Sequence, residues 1–265
     1  MGDQFCGDLS LVDESLIVNT INDGVANVVV YLQRAKTDDP LPTPHADIAS
    51  STEKFELSSV NCNFTPRILA MKVGDRLSII NTDDIGCNAN FAFFNNPNRA
   101  LQLPPKSHAV ITPTESEPAP IPVTSLIYPW MHARLLILEH RFCGISDANG
   151  VLTIPDLPVD VSIIFRVYHE RGDFRGLRIS EGEVNRRSLF QCELHAGVND
   201  FGTVVDAKLF ANDNRLIPCV VWTDAFASNE ANHLISDHAT HVSMVNTFDD
   251  ILRKCFSGDL ATWSV

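Results

Sequence analysis

The densest group of side chains able to bind metal or move protons is His233, Asp237, His238 and His241. On a helix, His238 and His241 share a face with Asp237 beside them, and His233 lies off it. A zinc hydrolase of the HExxH kind needs a general-base carboxylate between two imidazoles one turn apart, and none is in position here, so these residues read as a solvated polar cluster. The seven cysteines contain no CxxC pair, which argues against ribbon or finger zinc, and an odd number leaves at least one thiol unpaired. No GxSxG elbow, phosphate-binding loop or GxGxxG turn occurs. Asp83-Asp84 and Asp249-Asp250 are adjacent acids whose side chains diverge on a strand, so neither forms an acid/base pair. Asn88-Ala89-Asn90 and Asn95-Asn96-Pro97-Asn98 read as loop and turn chemistry.

The elements that must position any site are short. The chain has 265 residues, room for one large domain or two small ones; 45% are apolar and 20% charged, an ordinary globular balance. A net charge of −13 excludes a basic surface for nucleic acid. The longest apolar runs, such as Val28-Val29-Val30-Tyr31-Leu32 and Pro218-Cys219-Val220-Val221-Trp222, are too short for a membrane helix. Leu16-Ile17-Val18, the turn Asn22-Asp23-Gly24 and the run 25–32 predict strand, turn, strand, the last suited to burial on both faces. Strands are predicted at 54–60, 64–73, 76–81, 90–94 and 109–112, then at 131–139, 151–154, 162–168 and 202–210. Spacing of about ten residues with Pro, Gly, Asn and Asp between the runs is the pattern of a sandwich or barrel. Phe248, Ile251, Leu252, Cys255 and Phe256 have helical spacing and predict one short helix.

One set of motifs resembles the cupredoxins, the blue-copper β-sandwiches. It comprises Phe64-Thr65-Pro66, Val73-Gly74-Asp75-Arg76-Leu77-Ser78-Ile79-Ile80-Asn81-Thr82-Asp83 and Tyr128-Pro129-Trp130-Met131. The nearest likeness is to exported bacterial proteins of the methylamine utilization protein type, with a ligand loop as short as that of amicyanin. Cys6-Gly7, Asn61-Cys62-Asn63-Phe64 and Val167-Tyr168-His169-Glu170 extend it to about residues 5–212. In that family a His-Asn follows the N-x-D stretch, and a Cys-x-x-His-Pro-Trp-Met loop gives the remaining ligands. The resemblance therefore implies vestigial copper-ligand positions at Cys87, Ser125, Tyr128 and Met131. A type 1 site needs two imidazoles and a thiolate in a plane with a weak axial thioether. Three of the four positions differ, so no metal and no cofactor is expected. The alternative is copper held by a remodelled set around Cys87 and Met131, with His132, His140 and His169 as further donors. Met131 and His132 are neighbours on a strand and point to opposite faces, which weighs against it.

A second stretch, Ser146-Asp147-Ala148-Asn149-Gly150-Val151-Leu152-Thr153-Ile154-Pro155-Asp156-Leu157-Pro158, resembles the turn and strands of carboxypeptidase-regulatory, transthyretin-like β-sandwich modules. The plainer reading is an ordinary hairpin turn. Cys6 and Cys62 both fall in the family-like pattern, which suggests a disulfide between them; two buried thiols are the other reading.

Together these imply an all-β fold: a cupredoxin-like Greek-key β-sandwich combined with a second small β-sandwich and a short helical C-terminal appendage. The expected boundaries are residues 1–49 (N-terminal strands, part of the second sandwich), 50–138 (cupredoxin-like), 139–212 (remainder of the regulatory-like sandwich) and 213–265 (appendage). The expected function is that of a non-enzymatic binding or structural module with a degenerate copper site and a protein or glycan partner. An enzyme would need a cleft between the sandwiches, with His140, His169 and Glu170 the nearest candidates. The resemblance implies a periplasmic or extracellular location. The chain opens without a basic or hydrophobic signal segment, and Cys6 lying so near Met1 suggests a truncated start.

Overall fold

Short β-rich runs punctuated by turn residues become strands along the chain. The computed structural model describes residues 4–9, 11–34, 41, 52–158, 162–179, 182–205 and 220–227, with 4, 182, 203–205 and 220–227 described by backbone alone. A four-residue helix, α1 (Gln4–Gly7), precedes β1 (Val29–Leu32), β2 (Lys54–Val60), β3 (Asn63–Thr65), β4 (Ile68–Lys72), β5 (Arg76–Asn81) and β6 (Cys87–Phe91). Next come β7 (Arg99–Leu103), β8 (His108–Ile111), β9 (Ile121–Thr124), β10 (His132–Leu138), β11 (Cys143–Ile145) and β12 (Val151–Leu157). The remaining strands are β13 (Ser162–Tyr168), β14 (Arg178–Ile179), β15 (Gly182–Glu183), β16 (Leu189–Glu193), β17 (Gly197–Val205) and β18 (Val220–Ala227).

The first sandwich is the expected Greek key. One sheet runs β3-β2-β5-β8 and the other β4-β10-β9-β6-β7. The pairs β2–β5 and β4–β10 are parallel and the rest antiparallel. In β5 burial alternates, so that Leu77 and Ile79 enter the core with Phe64, Phe91 and Ile121. The second assembly has a four-stranded sheet β11-β1-β13-β16, a three-stranded sheet β12-β18-β17 and the small pair β14-β15. Its core gathers Val30, Phe142, Phe165 and Phe174.

Two strands carry unbroken apolar runs because both of their faces are covered. In β10, Ala133, Leu135 and Ile137 fill the first core, while Leu136 and Leu138 pack against Val29 and Tyr31. In β1 the roles are mirrored: Val30 and Leu32 enter the second core, and Val29 and Tyr31 face the first sandwich. The seam between the two assemblies is thus itself an apolar core.

Several expectations shift. Leu16–Val18 contributes only an isolated bridge from Val18 to Val25, not a paired strand. The hairpin closes with two backbone hydrogen bonds, Asn19 N to Gly24 O and Ala26 N to Ile17 O, and its turn is tied to the neighbouring one: Asn19 Nδ2 donates to Ala148 O and Asn22 Nδ2 to Asn149 O. A β-carbon at Gly24 would lie 2.0 Å from Asn149 O, so only glycine fits there. β9 is a strand where none was expected; Pro122 sits in it without breaking the pairing to β10. The strand expected from residue 202 starts instead at Gly197, as β17, and Gly202 takes a positive φ at a bulge between Asp200 and Thr203. Part of the segment expected as an appendage, Val220–Ala227, forms β18, parallel to β12 and antiparallel to β17; its apolar, β-branched start suits a strand inside a sheet. The expected helix at 248–256 lies outside the described residues, as does the His233–His241 cluster.

Candidate functional site

The sequence resemblance directs attention to one end of the first sandwich, where β6 begins and where the loop 125–131 joins β9 to β10. Because β6 lies next to β9, Asn88 comes opposite the start of that loop. Its Oδ1 accepts hydrogen bonds from Ser125 Oγ (2.8 Å), Leu126 N (3.1 Å) and Ile127 N (3.2 Å). Ser125 Oγ in turn accepts from Ile127 N (3.2 Å) and Tyr128 N (3.1 Å). A hydroxyl offers one donor and two acceptor sites, and at Ser125 all three are engaged. Met131 N donates to Tyr128 O and Ser125 N to Met131 O, which closes the loop on itself.

Asn88, Ser125, Tyr128, Cys87 and Met131 are all buried. Cys87 and Met131 belong to the same core. Burial pushes the Cys87 thiol up; a hydrogen bond with Ser59 pulls it down, and the nearby Asp83 carboxylate pushes it up further. It is therefore held as a neutral thiol, poorly suited to act as a nucleophile or metal ligand. Asp83 is itself occupied, accepting from Ser59 Oγ, Asn61 N and Cys62 N. The Tyr128 ring lies 5.4 Å from that of Trp130, whose Nε1 donates to Cys62 O. Cys62 is joined to Cys6 by a disulfide, Cα to Cα 5.8 Å, which fastens α1 to this end of the sandwich.

A type 1 copper centre does not fit these residues. The thiolate position carries a hydroxyl whose lone pairs are already used, and neither imidazole position carries an imidazole. Among the described residues no three of His, Cys, Asp and Glu converge as a metal-binding group.

The remaining histidine candidates are dispersed. Met131 is in the core, whereas His132 lines an outer recess with Leu11, Asp13 and Trp130. His140 Nε2 donates to Leu32 O (3.1 Å) and its Nδ1 accepts from Phe142 N (3.2 Å), so both ring nitrogens are spent on backbone. His169 Nδ1 accepts from Arg171 N, and its ring also bonds the backbone of Ala26. Burial pushes both imidazoles down to about 4 and keeps them neutral. The two rings thus bond the backbone at different places, Leu32 at the end of β1 and Ala26 in the turn that precedes that strand. Glu170 is engaged by Arg67 through two hydrogen bonds, 2.6 and 3.1 Å. His140, His169 and Glu170 therefore do not assemble into one cluster.

Asn88 is the residue that sequence reasoning passed over, reading it as loop chemistry. The available signal was its place directly after Cys87, where the resembled family has His-Asn.

No protein-family model and no curated protein matches the sequence. Solved structures that overlay on it include a copper-containing nitrite reductase from Thermus scotoductus SA-01, 17% identical, with a TM-score of 0.29 over 41% of this chain and 25% of that one. A reduced Cu(I) form of an amicyanin variant at pH 4 is 19% identical, with a TM-score of 0.29 over 36% of this chain and 91% of that one. Another Cu(I) amicyanin variant is 19% identical over 37% and 94%, with a TM-score of 0.28. The chain thus spans about a quarter of the reductase. At these scores the overlays add nothing to the strand order as evidence for the fold.

Proposed function

We propose that this chain is a non-enzymatic binding or structural module that uses a cupredoxin-like sandwich as a scaffold, with the copper-ligand positions given over to holding a loop. The observation that carries this reading is the saturated hydroxyl of Ser125: its hydrogen bonds do with protein groups what a metal would do in a blue site, fixing the loop against β6. The loop that is held presents apolar side chains to solvent: Leu126 is 77% exposed, Ile127 50% and Trp130 42%. Exposed apolar groups clustered on a rigid loop suit contact with a protein or glycan partner. The finer resemblance belongs to the same reading: an exported protein of the methylamine utilization protein type, whose second assembly is of the carboxypeptidase-regulatory kind. In support of the latter, Asp147 Oδ1 accepts from Asn149 N and Val151 N and so builds the turn from β11 to β12.

A second reading, copper handling by Cys87 and Met131, is favoured by their shared burial at this end of the core and disfavoured by the elevated thiol. Titration with Cu(I) and Cu(II), followed by visible absorption and electron paramagnetic resonance, tests both. The scaffold reading expects no stoichiometric binding. Tight binding that is lost in Cys87→Ala would replace it with copper handling.

A further inference from the structure

Where the seam between the two assemblies opens to solvent, it forms an open cavity of about 440 Å³. That is within the size range of small-molecule sites and far more than a few waters need. Its cationic wall is built by sheet register. Tyr31 on β1 stands opposite Arg166 on β13, and Arg166 opposite Leu189 on β16, with Arg187 just before that strand.

The charges in the cavity can be accounted for one at a time. Glu139 is ion-paired with Arg34 across the seam. Glu117 accepts from the amides of Phe94, Asn95 and Asn96 and from Asn96 Nδ2, so its carboxylate is spent on its own loop. Arg166 and Arg187 have no carboxylate partner among the described residues. Tyr31 Oη lies beside the Arg166 guanidinium, yet neither it nor Arg166 Nε makes a well-aligned hydrogen bond, and both atoms are buried. In a chain of net charge −13, acids to pair with two arginines are plentiful. Arg166 is half-buried and Arg187 exposed at the cavity, and an acceptor in the cavity would meet the outer guanidinium nitrogens of both, the buried Arg166 Nε and Tyr31 Oη lying behind them. Leu41, Pro118 and Leu189 supply apolar wall beside the arginines, so a bare inorganic ion would leave most of the cavity unfilled.

We propose that this seam cavity is a binding site for a small organic carboxylate, the carboxylate paired with Arg166 and Arg187 and an apolar body lying against Leu41, Pro118 and Leu189. The proposal is independent of what occupies the copper-ligand positions.

Calorimetric titration of the full chain with benzoate, benzyl alcohol and inorganic phosphate tests it. Saturable benzoate binding is expected, weakened about tenfold or more by Arg166→Gln and by Arg187→Gln, as loss of a charge-assisted hydrogen bond requires. Benzyl alcohol is expected to bind at least as much more weakly. Arg187 is exposed, so Arg187→Gln remains decisive if Arg166→Gln fails to fold. The proposal is overturned if benzoate does not bind saturably, if Arg187→Gln binds it as well as the parent, or if phosphate or benzyl alcohol binds as tightly.

Discussion

Ser125 Oγ donates a 2.8 Å hydrogen bond to Asn88 Oδ1, and through that contact the loop between β9 and β10 is fastened to β6. Two loop amides converge on the same oxygen, so one buried amide side chain organises the end of the sandwich. Asn88→Ala leaves the Ser125 hydroxyl and the Leu126 amide without their acceptor, Ile127 N keeping Ser125 Oγ, and is expected to destabilise the protein by about 2–4 kcal/mol. Asn88→Asp keeps an acceptor there and should lose less. Urea unfolding of the two variants checks both the size and the order.

A second polar centre pins the connection between the assemblies. The Asp75 carboxylate, fully buried, accepts from Glu53 N, Lys72 N and both terminal nitrogens of Arg141, at 2.7–2.9 Å. Burial alone would push its carboxyl up, but the bonds from Arg141 and the two amides outweigh that and hold it below the usual range. Asp75→Ala takes two charge-assisted bonds from a largely buried guanidinium, which keeps its 3.3 Å ion pair with Glu53, and leaves the Glu53 and Lys72 amides without their acceptor; it is expected to cost about 3 kcal/mol. Chemical denaturation at neutral pH measures it.

His140 makes the fold sensitive to mild acid. Burial drives its imidazole to about 4, against 6.5 for the free side chain, with only partial opposition from the Leu32 carbonyl. Above 6.5 the ring is neutral in both states and its contribution is fully present; as pH falls the unfolded chain takes the proton first, and the contribution is lost by about pH 4. Between pH 7 and pH 5 this amounts to about 2 kcal/mol. His140→Gln should flatten the pH dependence of unfolding free energy by about that much, and an unchanged slope would contradict the burial argument. His169 adds a similar slope of its own.

The disulfide gives a fourth expectation. Cys6 and Cys62 are 56 residues apart in sequence, so opening the bridge returns a large loop to the unfolded chain. Stability should fall by about 2–4 kcal/mol in the doubly substituted Cys6→Ser, Cys62→Ser protein. Thermal unfolding with and without the bridge reads this directly.

Much of this architecture was legible in the sequence because sandwich strands are short, local patterns. The runs 54–60, 76–81 and 162–168 are strands with those bounds. The double burial of β1 followed from its unbroken β-branched stretch. What escaped detection depends on partners distant in sequence. β18 exists because β12 and β17 flank it, and β16 because β13 offers an edge. Asn88 looks like a loop residue until Ser125 and two amides meet it. The arginine-lined cavity depends on Arg166 and Arg187 being brought beside Tyr31, and no spacing along the chain announces that.

The central claim is that the scaffold persists while its ligand positions have been turned to holding the loop. The most direct test compares copper binding by the parent chain with that of a variant carrying Cys87→His, Ser125→Cys and Tyr128→His and retaining Met131. The scaffold account predicts that the variant gains an intense blue absorption band on adding Cu(II) while the parent gains none. A parent protein that binds copper stoichiometrically and turns blue would contradict it.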